Sequence, residues 1–352
     1  MPDIRITNCH VHCFTDRHIP RHYPHRALIP FKRRPGLVRV LAAGANLLGQ
    51  EGLAQNLRRL ARFGSEARAA SQAETLARLN PQYPEDARFV ILPMAMEASG
   101  HGPVPVPIAA QHDELAMLAA TPVWAGRLIP FAGIDPRLPG AAAELRRCIE
   151  VLGFRGLKIY PRLGFAPDHP VLMAEVYPLL EARGLPVVSH CSRGGVTGRG
   201  IAAAQADALS APQAFIPVMR AFPRLRVNLA HFGGAADWQA YVDEGVAPGQ
   251  EGDNWMLSIR DMILSGDYPG LWTDISYTLF ETEAYLPVLK LLLDDARIAG
   301  RVLFGSDYYM TRQEALSERA VWVRLRAGLG EGRFRQIAEV NPEIWLGERA
   351  AI

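Results

Sequence analysis

The chain has 352 residues, of which 49% are hydrophobic and 21% charged, and its formal net charge is +2. That balance is the balance of a globular protein; it excludes a disordered chain and argues against a dedicated nucleic-acid surface. No apolar run is long enough to cross a bilayer, and Met1 leads almost directly into a strand rather than a leader, so no membrane partner and a cytoplasmic location are expected.

The four cysteines, Cys9, Cys13, Cys148 and Cys191, show no paired spacing, so reduced thiols are expected instead of a disulfide framework. The first strand runs from Ile4 to His12 and ends in two histidines one residue apart. Side chains alternate along a strand, so His10 and His12 point the same way and Cys9 and Val11 the other. At the mouth of a barrel, such a pair forms half of a metal site. Next comes an irregular basic stretch to Pro35 and then Leu and Ala at helical spacing from Leu37 to Leu79. A structureless loop of that length is improbable, so a mostly helical insertion over about 15–85 is expected, lying over or beside the site. His18, His22 and His25 within it read as solvated or lid residues.

From Arg88 onward strands and helices alternate. Strands are expected over Phe89 to Met96, Arg127 to Ile134, Gly156 to Tyr160, Pro186 to His190, Arg226 to His231, Leu271 to Ile275 and Arg301 to Phe304. Helices are expected over Gln111 to Ala120, Gly140 to Leu152, Val171 to Arg183, Gln213 to Ala221, Trp255 to Leu264 and Thr282 to Leu293. The turn-rich stretch between Gly233 and Leu271 reads as a surface excursion, and Gln313 to Leu346 as closing helices. With the opening strand that makes eight βα units, so the fold class is α/β, a (β/α)8 TIM barrel with a helical insertion after strand 1, forming one domain over 1–352. A doubly wound sheet would carry a Gly-rich phosphate loop after its first strand, where this chain has His-Val-His-Cys-Phe.

Catalytic groups in a barrel come from the C-terminal ends of several strands. Here those ends carry Lys158 and Tyr160, His190, His231 and Asp307. Imidazoles and a carboxylate are the ligands of a divalent transition metal such as zinc, and His10, His12, His190 and Asp307 form the expected ligand set. A metal held there activates water, Asp307 can shuttle its proton, and His231 is cast as an acid or electrophilic partner for the substrate. Arg162, Arg193 and Arg199 follow strand ends and could bind a substrate carboxylate. Glu97, His101 and Asp274 are pocket candidates without roles.

His10-Val-His12, Gly156-Leu-Lys158, His190, Ala230-His231-Phe232-Gly233-Gly234, Gly305-Ser306-Asp307 and Asn341-Pro342-Glu343-Ile344-Trp345-Leu346-Gly347 follow one another in order over nearly the whole chain. In this the sequence resembles the amidohydrolase superfamily, in its amidohydrolase-related branch. The resemblance implies a metal-dependent barrel whose ligands are the HxH pair, His190 and Asp307, and whose His231 faces the substrate. It implies a hydrolase of a small amide, ester or lactone; the alternative is a non-oxidative decarboxylase of an unsaturated or aromatic acid. A third reading is a barrel that has lost catalysis and serves as a binding protein. Two positions depart from the pattern. Asn8 stands where an acidic residue is frequent, and Lys158 occupies the place of the lysine that bridges two metals in binuclear relatives, although one ion, most simply Zn2+, is favoured here. A small-molecule substrate is expected, no nucleic acid, and self-association into a homo-oligomer is left open.

Overall fold

A computed structural model of the chain describes residues 3–23, 35–245, 251–278, 282–311 and 316–350. The strands are β1 (Thr7–Val11), β2 (Arg88–Ile91), β3 (Leu128–Pro130), β4 (Ala132–Gly133), β5 (Leu157–Ile159), β6 (Val187–Ser189), β7 (Val227–Leu229), β8 (Leu271–Asp274) and β9 (Val302–Leu303). All pair in parallel with their neighbours in chain order, apart from one interruption at Phe131. There the expected third strand splits into β3 and β4, and the Phe131 N–H still donates to the Ile91 carbonyl at 3.0 Å. The circle closes where the Cys9 N–H donates to the Phe304 carbonyl at 2.8 Å and the Asp307 N–H to the His10 carbonyl at 2.9 Å. The fold is a (β/α)8 barrel.

Among the described residues between β1 and β2 lie three α-helices, α1 (Pro35–Leu47), α2 (Glu51–Glu66) and α3 (Gln72–Leu79). Ser71 caps α3 by accepting the Glu74 N–H, which satisfies an amide that the helix itself leaves unpaired. The outer layer is α4 (Ile108–Ala119), α5 (Ala141–Glu150), α6 (Tyr177–Arg183), α7 (Ala203–Ser210), α8 (Ile216–Ala221), α9 (Ala235–Glu244), α10 (Trp255–Ser265), α11 (Thr282–Leu292), α12 (Ala296–Ala299), α13 (Glu318–Leu329), α14 (Glu331–Arg335) and α15 (Asn341–Trp345). The stretch read as a surface excursion contains α9. Of its Pro248 to Asp253 core, residues 248–250 lie outside the described residues, as does His25.

Strand residues divide by alternation. Leu157, Ile159, Val187, Val227, Leu229, Leu271 and Val302 join the large core between strands and helices, while Val90, Val188, Trp272 and Leu303 form a second cluster with Trp345 and Leu346. The second set takes alternate positions, so it fills the barrel interior. The C-terminal segment caps it at the N-terminal ends of the strands, where Arg155 donates to the Leu346 carbonyl at 3.2 Å and Arg88 pairs with Glu348. The opposite end is left for the site.

β1 does not alternate as its sequence suggests. Asn8 pairs with Phe89 and Val11 with Ile91, so Cys9 and His10 together face the single residue Val90. That is a bulge, and bulges re-aim side chains. Cys9 therefore packs in the inner cluster instead of pointing away from the histidines. All four cysteines are buried and free.

Candidate active site

Four imidazoles meet at the C-terminal mouth of the barrel, and each is held from behind. His10 Nδ1 lies 3.1 Å from Asp274 Oδ2, His12 Nδ1 2.6 Å from the Leu92 carbonyl, His190 Nε2 3.2 Å from the Gly194 carbonyl and His231 Nδ1 3.0 Å from the Ser276 carbonyl. Every one of these partners accepts, so each fixes a proton on that nitrogen and leaves the other nitrogen with a lone pair. The remaining nitrogens turn inward. His12 Nε2 is 3.1 Å and His10 Nε2 3.7 Å from Asp307 Oδ1, and His190 Nδ1 faces His231 Nε2 at 3.2 Å.

Lone pairs so close together repel unless a proton or a cation lies among them. Asp307 Oδ1 is buried and has no hydrogen-bond partner, which leaves an acceptor aimed at the same place. His10, His12 and Asp307 offer ligand atoms within 4.8 Å of one another. Nitrogen and carboxylate donors of this kind fit a divalent transition-metal ion. His190 stands outside that trio and joins it through His231, whose ring centroid is 4.9 Å from that of His10.

Behind the rings sits a hub that ties β7 and β8 to β1. Asp274 accepts from Asn228 Nδ2 at 2.8 Å, from the His231 N–H at 3.1 Å and from the Ser276 N–H at 3.0 Å. Ser276 Oγ lies 3.1 Å from His10 Nδ1 and 2.9 Å from His231 Nδ1. The sequence offered Asp274 without a role and missed Ser276. Its signal was available: Ser276 stands two residues after Asp274, on the same face of the chain leaving β8.

Asn8 has a comparable task on the other side. It donates to Tyr83 Oη at 2.9 Å and Ser306 Oγ at 2.8 Å, and its Oδ1 accepts the Ser306 N–H at 3.1 Å and the His10 N–H at 3.2 Å. The amide clamps β1 against the loop that carries Asp307. Gly305 permits that approach, because a Cβ there would stand 2.8 Å from His10 Cβ. Gly233 is required for a similar reason after β7: it has positive φ and a Cβ would meet the Met256 nitrogen at 2.4 Å. His231 and Asp307 themselves have φ of 70° and 62°, a left-handed conformation that costs a non-glycine residue about 1–2 kcal/mol and is held by the surrounding bonds.

Burial, reinforced by the Lys158 ammonium, pushes His10 down to about 3. Burial and the neighbouring His231 hold His190 well below its ordinary value, and burial lowers His231 as well. These three rings are therefore held in the neutral form, which is the form that binds a metal. Burial opposes ionisation of Asp274, but the His10 ring and the Ser276 hydroxyl keep its carboxyl below the usual range. Lys158 is buried with Nζ 3.5 Å from His10 Nε2, and burial draws it down to about 8. Tyr160 stacks on His190 with centroids 4.3 Å apart, and its hydroxyl accepts the Val196 N–H at 3.1 Å.

The rings open into a cavity of about 510 Å3, within the range of small-molecule sites. Its polar lining includes His12, Lys158, Tyr160, His190, Arg193, His231 and Asp307, and its apolar wall Phe14, Ile19, Met94, Met96 and Met310. α2 adds Arg59 and Phe63, so the helical insertion borders the site. Arg193 lines the rim but is engaged locally, 3.1 Å from Asp237 Oδ2, donating to the Asp253 carbonyl and lying 4.7 Å over the Trp255 ring. Arg162 is buried against Asp207 and Thr197, His101 bonds the Thr197 carbonyl, and Glu97 accepts the Ile108 N–H. Arg199 and these three lie outside the cavity lining. His18, expected to be solvated, is buried because its Nδ1 accepts the Thr15 N–H at 3.1 Å.

Residues 8–347 match the family model described as amidohydrolase. The chain belongs to the amidohydrolase family. Among curated proteins none matches its sequence. Solved structures with the same fold include 5-carboxyvanillate decarboxylase from Sphingomonas paucimobilis, 15% identical, with a TM-score of 0.57 over 98% of this chain and 99% of that one. A probable 2-pyrone-4,6-dicarboxylic acid hydrolase from Acinetobacter baumannii with citric acid bound is 13% identical, TM-score 0.56, over 98% and 100%. The 5-carboxyvanillate decarboxylase of Novosphingobium aromaticivorans, solved with manganese and a nitrobenzoic acid, is 14% identical, TM-score 0.57, over 98% and 97%. At these identities the likeness is one of fold. Among the described residues no helix is long and apolar enough to cross a membrane.

Proposed function

We propose that this amidohydrolase-family protein is a metal-dependent hydrolase of a small ester, lactone or amide, with His10, His12, His190 and Asp307 holding one divalent ion, Zn2+ in the simplest case. The observation that carries the reading is the buried, unpartnered Asp307 Oδ1 set 3.1 Å from His12 Nε2. A divalent ion bound among these donors lowers the pKa of water and polarises a substrate carbonyl. Asp307 is then placed to accept the proton of the attacking water and return it to the leaving group. His231, with its proton fixed on Nδ1, presents Nε2 as an acceptor and acts as an acid only after it has received a proton. Lys158 is a buried cation beside the ligands, where it orients an anionic group of the substrate. Arg59 on the insertion and the wall of Phe14, Phe63, Met94, Met96 and Met310 suit a flat apolar body bearing a carboxylate.

That apolar wall also favours a second reading, decarboxylation of an aromatic or unsaturated acid, because a ring excluded from water needs only a proton donor at carbon. The two separate in one experiment: metal-loaded protein is given a panel of lactones, amides and aromatic acids while proton release and carbon dioxide are recorded together. Hydrolysis predicts acid without carbon dioxide and one solvent oxygen in the product. Carbon dioxide as the sole small product would replace it with the lyase. His12→Ala should lose the bound ion and the activity, and Asp307→Asn should lower turnover by about 10²- to 10⁴-fold; an active Asp307→Asn protein would remove the proton-transfer role.

A further inference from the structure

Among the described residues eleven large hydrophobic side chains are conspicuously exposed, and five of them, Leu37, Val40, Leu41, Leu47 and Leu48, fall in or just after α1. Val40 is 67% exposed, Leu47 88% and Leu48 80%. The other six are scattered singly over the surface, as is ordinary. At 100° per residue these five and Gly44 occupy one arc about 120° wide. Val38, Ala42 and Ala45, all buried, occupy the adjoining arc, where α1 packs against α2. Arg39 is the single charge in α1, and it lies outside both arcs. A helix apolar over so much of its circumference belongs in an interior.

Gly44 stands at the centre of the open arc, and a Cβ built there meets nothing within 4 Å. Glycine in a helix costs about 1 kcal/mol against alanine, and no described residue uses the space it leaves. A backbone approaching from outside would. The five side chains leave on the order of 500 Å2 open, so pairing two copies covers about 1,000 Å2, the lower bound of a specific interface. A stripe with neither donors nor charges is complementary to itself, as a two-fold contact requires.

We infer that the outer face of α1 is the contact between two copies of this chain, packed helix on helix about a two-fold axis near Gly44. The insertion thereby faces two ways, with α2 bordering the cavity through Arg59 and Phe63 and α1 joining the partner.

The test is sedimentation of the full chain at about 50 µM, where a micromolar dimer is mostly associated. A dimer is expected, with its dissociation constant raised at least tenfold by Val40→Asp and by Leu47→Asp; both sites are exposed, and circular dichroism checks that the variants fold. Gly44→Cys supplies a second, positional readout. The native thiols are buried, so mild oxidation should link two copies through position 44 if the helices cross there with Cα atoms under about 7 Å apart. A wild-type monomer overturns the inference, and so does a dimer that the charged variants leave unchanged or that Gly44→Cys fails to cross-link.

Discussion

At the scale of single residues, the site is a set of imidazoles aimed by what stands behind them. Ser276 contacts two of the four, His10 and His231, and also Asp274. Removing its hydroxyl leaves both rings in place but freer to turn, and an outer partner of a ligand such as His10 is worth about 10- to 100-fold in metal affinity. Ser276→Ala should therefore weaken metal binding by that factor in a chelator competition while the folded content stays constant. Unchanged affinity would mean that Asp274 and the Ser276 carbonyl orient the rings unaided. Asn8 is a different case, because its amide both donates and accepts: Asn8→Asp would take the donor from Tyr83 and Ser306 and bury a charge beside Glu318, whose Oε2 accepts from Tyr83 at 2.8 Å. A loss of about 1–3 kcal/mol in denaturant unfolding is expected. The departure at Asn8 thus bears on how β1 is clamped, and it leaves the ligand atoms untouched.

Element by element, the strands were legible because short apolar runs alternate with helical stretches, and several of them, β1, β5, β6, β7 and the segment after β9, lead into the polar residues His10, His12, Lys158, His190, His231 and Asp307 that gather at the mouth. The bulge in β1 was not legible, since it is defined by the register of β2 and has no residue signature of its own. Nor were the groups that fix the tautomers: Leu92, Gly194 and Ser276 act through backbone carbonyls, which every residue possesses. The short turn Asp16–His18 after β1 shows the same blindness, for His18 looks solvated in sequence but is buried as the acceptor that closes a capping box with Thr15. Burial lowers His18 to about 4, against about 6.5 in an unfolded chain. The unfolded state therefore takes up the proton first, so the stability contributed by neutral His18 is complete above pH 6.5 and declines as pH falls towards 4. The full difference is about 3 kcal/mol. Urea midpoints at pH 7.5 and 4.5 should separate further for the wild type than for His18→Gln; equal separations would show that the ring gives up its hydrogen bond without penalty.

For the molecule as a whole, the arrangement at the mouth sets a demand that the rest of the barrel meets. The interior below the site is packed with Val90, Val188, Trp272 and Leu303 and covered by Trp345 and Leu346, so the strand ends are rigid and the imidazoles cannot relax away from one another. Rigid ends keep four inward lone pairs and an ionised Asp307 together, an arrangement under mutual repulsion that the Lys158 ammonium eases at His10, 3.5 Å away, and that a bound cation relieves further. An ion that binds the folded barrel and not the unfolded chain must then stabilise the fold as a whole. At a free concentration 100 times its dissociation constant the gain is about 2.7 kcal/mol, which for a chain of this length raises the melting temperature by about 4 °C. Scanning calorimetry of chelator-treated protein with and without added Zn2+ or Mn2+ measures it. The rise should vanish in His12→Ala, whose ring contributes one of the inward nitrogens, and persist in His18→Gln, whose ring lies outside the cluster. A melting temperature indifferent to both ions would mean that protons alone reconcile Asp307 with its imidazoles, and the proposed metal chemistry would fall with it.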